Sequence, residues 1–200
     1  MTALIIPKPF QKILVVGAIY DKIDKISIVE QMIPQYDYTV FNGGLLYPFD
    51  SNVQQRIDKM NQITSKNKAV YLASRVDYIQ LRNSPNREIE AWIQSCYNVA
   101  IADFSTRTVI IVDGGIPPTV ISRQDLMNNL EVSFISQIDN KPWHLNYSGG
   151  LGYVISNNPL TVQSPQYYKY SMQLGTQYTM DSQVYVQEVD EIGLKKLISI

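Results

Sequence analysis

Residues 12–44 read KILVVGAIYDKIDKISIVEQMIPQYDYTVFNGG, and this stretch decides the fold. Lys12 to Gly17 is a continuous apolar run ending in glycine, the pattern of a strand buried on both faces of an α/β sheet. Asp21 stands where a helix cap belongs. Behind it Ile23, Ile26, Val29 and Ile33 recur at three- and four-residue spacings up to Pro34. Tyr38 to Phe41 then has strand character, broken by Gly43 and Gly44. The spacing predicts strand, turn, amphipathic helix, strand.

Outward from this unit the pattern repeats. Ser51 and Gln54 have capping-box spacing, and Val53, Ile57 and Met60 fall on one helical face. A third strand is predicted over Ala69 to Ala73. A loop follows, then Ser84 and Pro85 as cap and first-turn pair of a helix carrying Ile89, Trp92, Ile93 and Cys96. Val99 to Ala102 and Thr108 to Val112 lie too close together for a crossover, so they are expected to pair as an antiparallel hairpin. A short helix is read over Ser122 to Leu130. Strands are read over Tyr153 to Ser156, Tyr168 to Leu174, Val184 to Val189 and Leu194 to Ile198. The expected class is α/β: a two-sheet β-sandwich flanked by helices, in one domain over 12–200 preceded by an N-terminal arm over 1–11.

Composition narrows the function classes. The chain has 200 residues, 45% of them hydrophobic, enough to bury a sizeable core. Seventeen basic residues against eighteen acidic leave a formal charge of -1, with no basic stripe, so nucleic acid is not an expected partner. Cys96 is the only cysteine, which excludes an intrachain disulfide and a thiolate metal cluster. With no run of eighteen apolar residues and no signal-peptide pattern at the start, a soluble protein without membrane attachment is expected.

In open α/β sheets ligands bind beyond the carboxyl ends of the strands. The segments there are Gly17-Ala18-Ile19-Tyr20, Gly43-Gly44-Leu45, Ser74-Arg75-Val76-Asp77, Asp113-Gly114-Gly115 and Ser156-Asn157-Asn158-Pro159. Their order, spacing and surroundings, such as IIVDGGIPP at residues 110–118, resemble the calcineurin-like metallophosphatases, particularly the serine/threonine phosphatase branch, from Lys12 to Ile198. That family carries GDxH, GDxxDRG, GNHD, HGG and GHT at these places. The resemblance matches its first Asp and His ligands to Ala18 and Tyr20 and its bridging Asp to Gly44. The rest of the second motif becomes Tyr47, Pro48 and Phe49. The Asn and His of the third motif fall on Arg75 and Val76, while its Asp persists as Asp77. The HGG histidine falls on Asp113 and the last His on Asn157 or Asn158.

A two-metal centre needs hard anionic oxygens and imidazoles around dications about 3.5 to 4 Å apart. Ala18 and Gly44 offer no ligand atom, Arg75 brings a permanent cation, and Asp113 alone keeps a carboxylate at a ligand position. The resemblance therefore implies the fold without catalytic residues, metal or cofactor, a vestigial cleft in which Arg75, Asp77 and Asp113 form an ion-paired cluster. Arg75 as an anion site is the other reading.

Elsewhere the plainer reading stands beside the sharper one. His144 reads as a hydrogen-bonded loop residue or a relocated catalytic group. Cys96 reads as an inert thiol on an apolar face, and Gly43-Gly44 and Gly114-Gly115 as sharp turns or phosphate cradles. Tyr167-Tyr168-Lys169-Tyr170 reads as an ordinary strand or an aromatic edge for a protein partner. Sixteen Gln and thirteen Asn, with little net charge, suit polar protein-protein surfaces. The expectation is a pseudoenzyme that binds other protein chains in a larger assembly of phage or viral origin, in the virion or the host cytoplasm, and cytoplasmic if the source is not viral. The alternative is a divergent phosphoesterase, or a small-molecule or nucleotide binder, using the remodelled cleft.

Overall fold

The computed structural model describes residues 3–17, 19, 22–46, 49–83, 85–104, 108–112, 131–136, 151–156, 170–173, 184–191 and 194–200. In chain order the elements are β1 (Ala3–Ile5), β2 (Lys12–Val16), α1 (Ile23–Met32), β3 (Tyr38–Asn42), α2 (Val53–Lys66), β4 (Ala69–Leu72), α3 (Arg75–Asn83), α4 (Arg87–Ser95), β5 (Val99–Asp103) and β6 (Thr108–Val112). They continue as β7 (Glu131–Ser136), β8 (Leu151–Ser156), β9 (Tyr170–Gln173), β10 (Tyr185–Asp190) and β11 (Leu194–Ser199).

The strands form two sheets, one in the order β11-β10-β2-β3-β4 and the other in the order β1-β5-β6-β7-β8-β9. The parallel strands β2, β3 and β4 send their carboxyl ends to one edge, and β10 runs antiparallel beside β2. The expected hairpin is present as β5 and β6, antiparallel from Val99 opposite Val112 to Asp103 opposite Thr108.

Alternation along the strands divides the core in two. Leu14, Val16, Phe41 and Tyr71 face the helices and pack with Ile26, Val29, Ile57, Met60, Ile63, Ile89 and Ile93. Ile13, Val15, Val40, Val70 and Leu72 face the second sheet and meet Ala100, Ala102, Val109 and Ile111. Because both faces of β2 are covered, its sequence reads as a nearly unbroken apolar run, while β3 also buries the polar Thr39 and Asn42. The result is the expected α/β architecture of two packed sheets with helices outside.

Several local expectations are corrected. The Ser51–Gln54 capping box does not form: Asn52 is the cap of α2 without a side-chain bond, and the Gln54 amide donates to Asp58 instead at 2.9 Å. The cap of α4 is Asn86, whose Oδ1 accepts from the N–H groups of Glu88 and Ile89 at 3.0 and 3.1 Å. Pro85 therefore precedes that cap, and Ser84 lies outside the described residues. The stretch read as a loop after β4 holds α3, and β1 and β7 are strands that the periodicity did not mark. The cap of α1 is Lys22, without a side-chain bond, and not Asp21. The Ser122 to Leu130 helix lies outside the described residues. Among the described residues no helix is long and apolar enough to cross a membrane.

The start of the central sheet is pinned by one carboxylate. Asp37 Oδ2 accepts from the backbone N–H groups of Gln11 and Lys12 at 2.8 and 3.0 Å, tying the entry of β3 to the entry of β2. The Lys12 and then the Gln11 N–H hold its carboxyl below the ordinary value of 3.8. A carboxyl with a lowered folded-state pKa adds stability above its unfolded value and loses it as pH falls through the folded one. Asp37→Asn should therefore lower the melting temperature at neutral pH, and the gap from the wild type should close as pH falls below the carboxylate range. Paired thermal melts from pH 7 to pH 2 check this.

Candidate functional site at the carboxyl edge of the parallel strands

Beyond β3 the chain turns through Gly43 and Gly44, both in the left-handed region with φ of 82° and 79°. A side chain there would crowd the backbone, which makes glycine the natural residue. The turn aims successive N–H groups at side chains arriving from β4 and α3. The Gly44 N–H approaches Ser74 Oγ at 3.1 Å and Asp77 Oδ2 at 3.3 Å. The Leu45 N–H donates to the Tyr71 hydroxyl at 3.0 Å, and the Leu46 N–H donates to Asp77 Oδ1 at 2.8 Å.

Asp77 is fully buried and is the hub of the edge. Its Oδ2 also accepts from the Tyr71 hydroxyl at 2.5 Å, the Ser74 N–H at 2.8 Å and the Ser74 hydroxyl at 2.7 Å. Ser74 Oγ in return accepts from the Asp77 N–H at 3.1 Å. Ser74 and Asp77 thus form a reciprocal capping box that starts α3. The sequence reading passed over this Ser-x-x-Asp spacing, which is why it left α3 as a loop.

A second tie holds the same turn from α2. Arg56 is buried within the apolar stripe of that helix, donating from Nε to the Leu45 carbonyl at 2.9 Å and from Nη1 to Asp50 at 3.0 Å. Sequence reasoning missed it. The signal was its spacing, three residues after Val53 and four before Met60, which puts a cation on the buried face.

Burial first, and then the charge of Asp77, raise the Tyr71 phenol well above its ordinary range. It stays a neutral donor, its ring stacked on Trp92 with centroids 5.3 Å apart. The same two causes push the half-buried Cys96 thiol up to about 12. Thiolate chemistry is thereby suppressed at neutral pH, in line with the inert reading of Cys96.

Of the residues that the sequence reading singled out, Gly44 and Asp77 are brought together. Arg75 and Val76 lie in the first turn of α3, with side chains outside the described residues. Ala18, Tyr20, Asp113, Asn157, Asn158 and His144 also lie outside them. The expected ion-paired cluster of Arg75 with Asp77 and Asp113 rests on the Arg75 side chain and on Asp113, which lie outside the described residues. The donors to Asp77 among the described residues are neutral: three backbone N–H groups and two hydroxyls.

No protein-family model matches the sequence, and no curated protein matches it. Solved structures do. A candidate diadenosine tetraphosphatase is 12% identical, with a TM-score of 0.62 over 100% of this chain and 97% of that chain. A serine/threonine phosphatase from Saccharomyces cerevisiae with similarity to human phosphatase PP5 is 11% identical, with a TM-score of 0.55 over 100% of this chain and 82% of that chain. The chain has a metallophosphatase-like fold. At such identities the likeness carries the architecture alone.

Among the described residues, the donors at this edge do not make up a binuclear metal centre. Gly44 has no side chain, and both oxygens of Asp77 are turned onto N–H and hydroxyl donors rather than outward. Among the described residues no three His, Cys, Asp or Glu side chains gather around a common point. The arrangement is built to hold an internal carboxylate.

Truncating that hub leaves buried donors unsatisfied, so Asp77→Ala should cost about 3 kcal/mol or more. Tyr71→Phe should cost about 1.5 to 3 kcal/mol, for one hydrogen bond to a charged group. Gly44→Ala should cost roughly 1 to 2 kcal/mol through its left-handed backbone. Urea unfolding of the three variants checks the order.

Proposed function

We propose that this chain is a catalytically inactive metallophosphatase-like protein, a rigid two-sheet body that serves as a structural or protein-interaction module. The observation that carries this reading is the use made of the carboxyl edge. Where the fold's chemistry would need outward-facing ligands, Gly44 lends its N–H to Asp77, and the carboxylate is consumed in holding α3 against the β3 turn. Ala18, Tyr20, Arg75 and Val76 at the other matched positions extend the same substitution of ligands by non-ligands. A composition rich in Gln and Asn with little net charge suits other protein chains as partners, in a phage or viral assembly.

A divergent phosphoesterase is the second reading, favoured by the names of the two fold neighbours. It would use relocated chemistry around Asp113, Asp77 and His144, of which Asp113 is matched to a ligand position. Elemental analysis of purified protein, with turnover of a generic phosphomonoester measured beside it, separates the two. The pseudoenzyme reading expects no stoichiometric metal and no turnover. It also expects Gly44→Asp to create none, because one carboxylate does not assemble a two-metal site. Bound metal with turnover abolished by Asp113→Ala would overturn it in favour of the enzyme.

A further inference from the structure

We infer that the double-glycine turn after β3 and the first turn of α3 together form a carboxylate-binding site, and that Asp77 is its resident, covalently tethered ligand. Capping alone does not require this arrangement. A capping box is complete once Ser74 and Asp77 have exchanged their two backbone bonds, both local in sequence. Here Asp77 also accepts from Gly44 and Leu46, more than thirty residues earlier. Their N–H groups reach it from the turn in which two consecutive glycines take positive φ. The Tyr71 hydroxyl closes the cradle, itself oriented by the Leu45 N–H.

The donor set defines the ligand class. The five donors found among the described residues are neutral, and Gly44, Leu45, Leu46, Ser74 and Asp77 are buried. Neutral donors in a dry site suit one delocalised negative charge and disfavour a dianion, whose desolvation they cannot offset. The oxygens of Asp77 are reached from two sides in the manner of a planar carboxylate. The site is therefore selective for a monocarboxylate over phosphate, and in the wild type it is closed to both because Asp77 fills it. Whether the cleft turns over phosphoesters does not enter, so failure here leaves the pseudoenzyme reading untouched.

Asp77→Ala removes the tethered carboxylate and leaves a hole of about formate size among the same donors. Thermal melts of the full-length variant should show a melting temperature that rises saturably with sodium formate, less with acetate, and no more with phosphate than with sodium chloride of equal ionic strength. The wild type, its site filled, should respond to formate no more than to chloride. Asp77→Asn, which keeps the volume occupied, should behave like the wild type in this respect. If Asp77→Ala is unfolded in chloride, the near-ultraviolet circular dichroism of the Tyr71–Trp92 stack becomes the readout, and formate should restore it. An equal effect of formate and chloride on Asp77→Ala, a formate response of the same size in Asp77→Asn, or no recovery of an unfolded variant would each overturn the inference.

Discussion

A carboxylate that no water reaches must be solvated by the protein, and at Asp77 this constraint organises the carboxyl edge of the central sheet. Leaving such a charge unpaired is prohibitive, so its donors have to be delivered by the fold. They come from three elements. The turn after β3 gives the N–H groups of Gly44 and Leu46, β4 gives Tyr71, and the approach to α3 gives Ser74. Each bond is modest in net terms, yet the loss of the carboxylate would strand all of the donors together. The β3 turn, the end of β4 and the first turn of α3 are thereby fixed against one another.

The sheet makes this convergence possible. Parallel β3 and β4 end side by side, with Asn42 opposite Leu72, so the segments that follow them emerge as neighbours. Packing then closes the space around them: Phe41 and Tyr71 lie under α2 and α4, and Arg56 reaches from α2 to hold the Leu45 carbonyl. The opposite edge uses the same device in exposed form, where Asp37 joins the starts of β2 and β3. Tyr36 links this region to β10 through Glu188 at 3.0 Å, burial and that carboxylate raising its phenol to about 12. Polar ties therefore sit at both ends of strands whose middles are apolar.

What was legible in the sequence follows from the range of the forces involved. KILVVG is buried on both faces, so hydrophobicity alone marks it as a central strand; the aromatic and β-branched run from Tyr38 to Phe41 marks its neighbour, and the Ile23, Ile26, Val29 stripe marks α1. The helix α3 was missed because RVDYIQLRN has no strong apolar period. Its nucleus is polar, the Ser74–Asp77 box, a signal present in the sequence but outweighed by the search for apolar spacing. The three-residue strand β1 is defined by its partner, Ala3 to Ile5 pairing with Val99 to Ile101, and nothing local announces such a strand. At the site, the juxtaposition of Gly44 with Asp77 followed from the order of the segments. The Gly44 and Leu46 partners of Asp77 did not, because they are backbone N–H groups, which every residue but proline carries and which the turn at Gly43 and Gly44 brings to bear.

The same geometry sets two uses of the β3 turn against each other. A carboxylate at position 44, where the resemblance places a bridging ligand, would attach a Cβ to a backbone with φ of 79°. It would also put a second negative charge beside Asp77, since the Gly44 nitrogen is already 3.3 Å from Asp77 Oδ2. In a site without water, neighbouring carboxylates do not both ionise unless a cation lies between them. A turn that donates N–H groups to an internal carboxylate and a turn that presents a carboxylate of its own are thus alternative solutions for one short stretch of chain. Regaining the second would require the double glycine, Asp77 and the ligand positions around them to change together, since any one change alone loses stability before a metal could compensate.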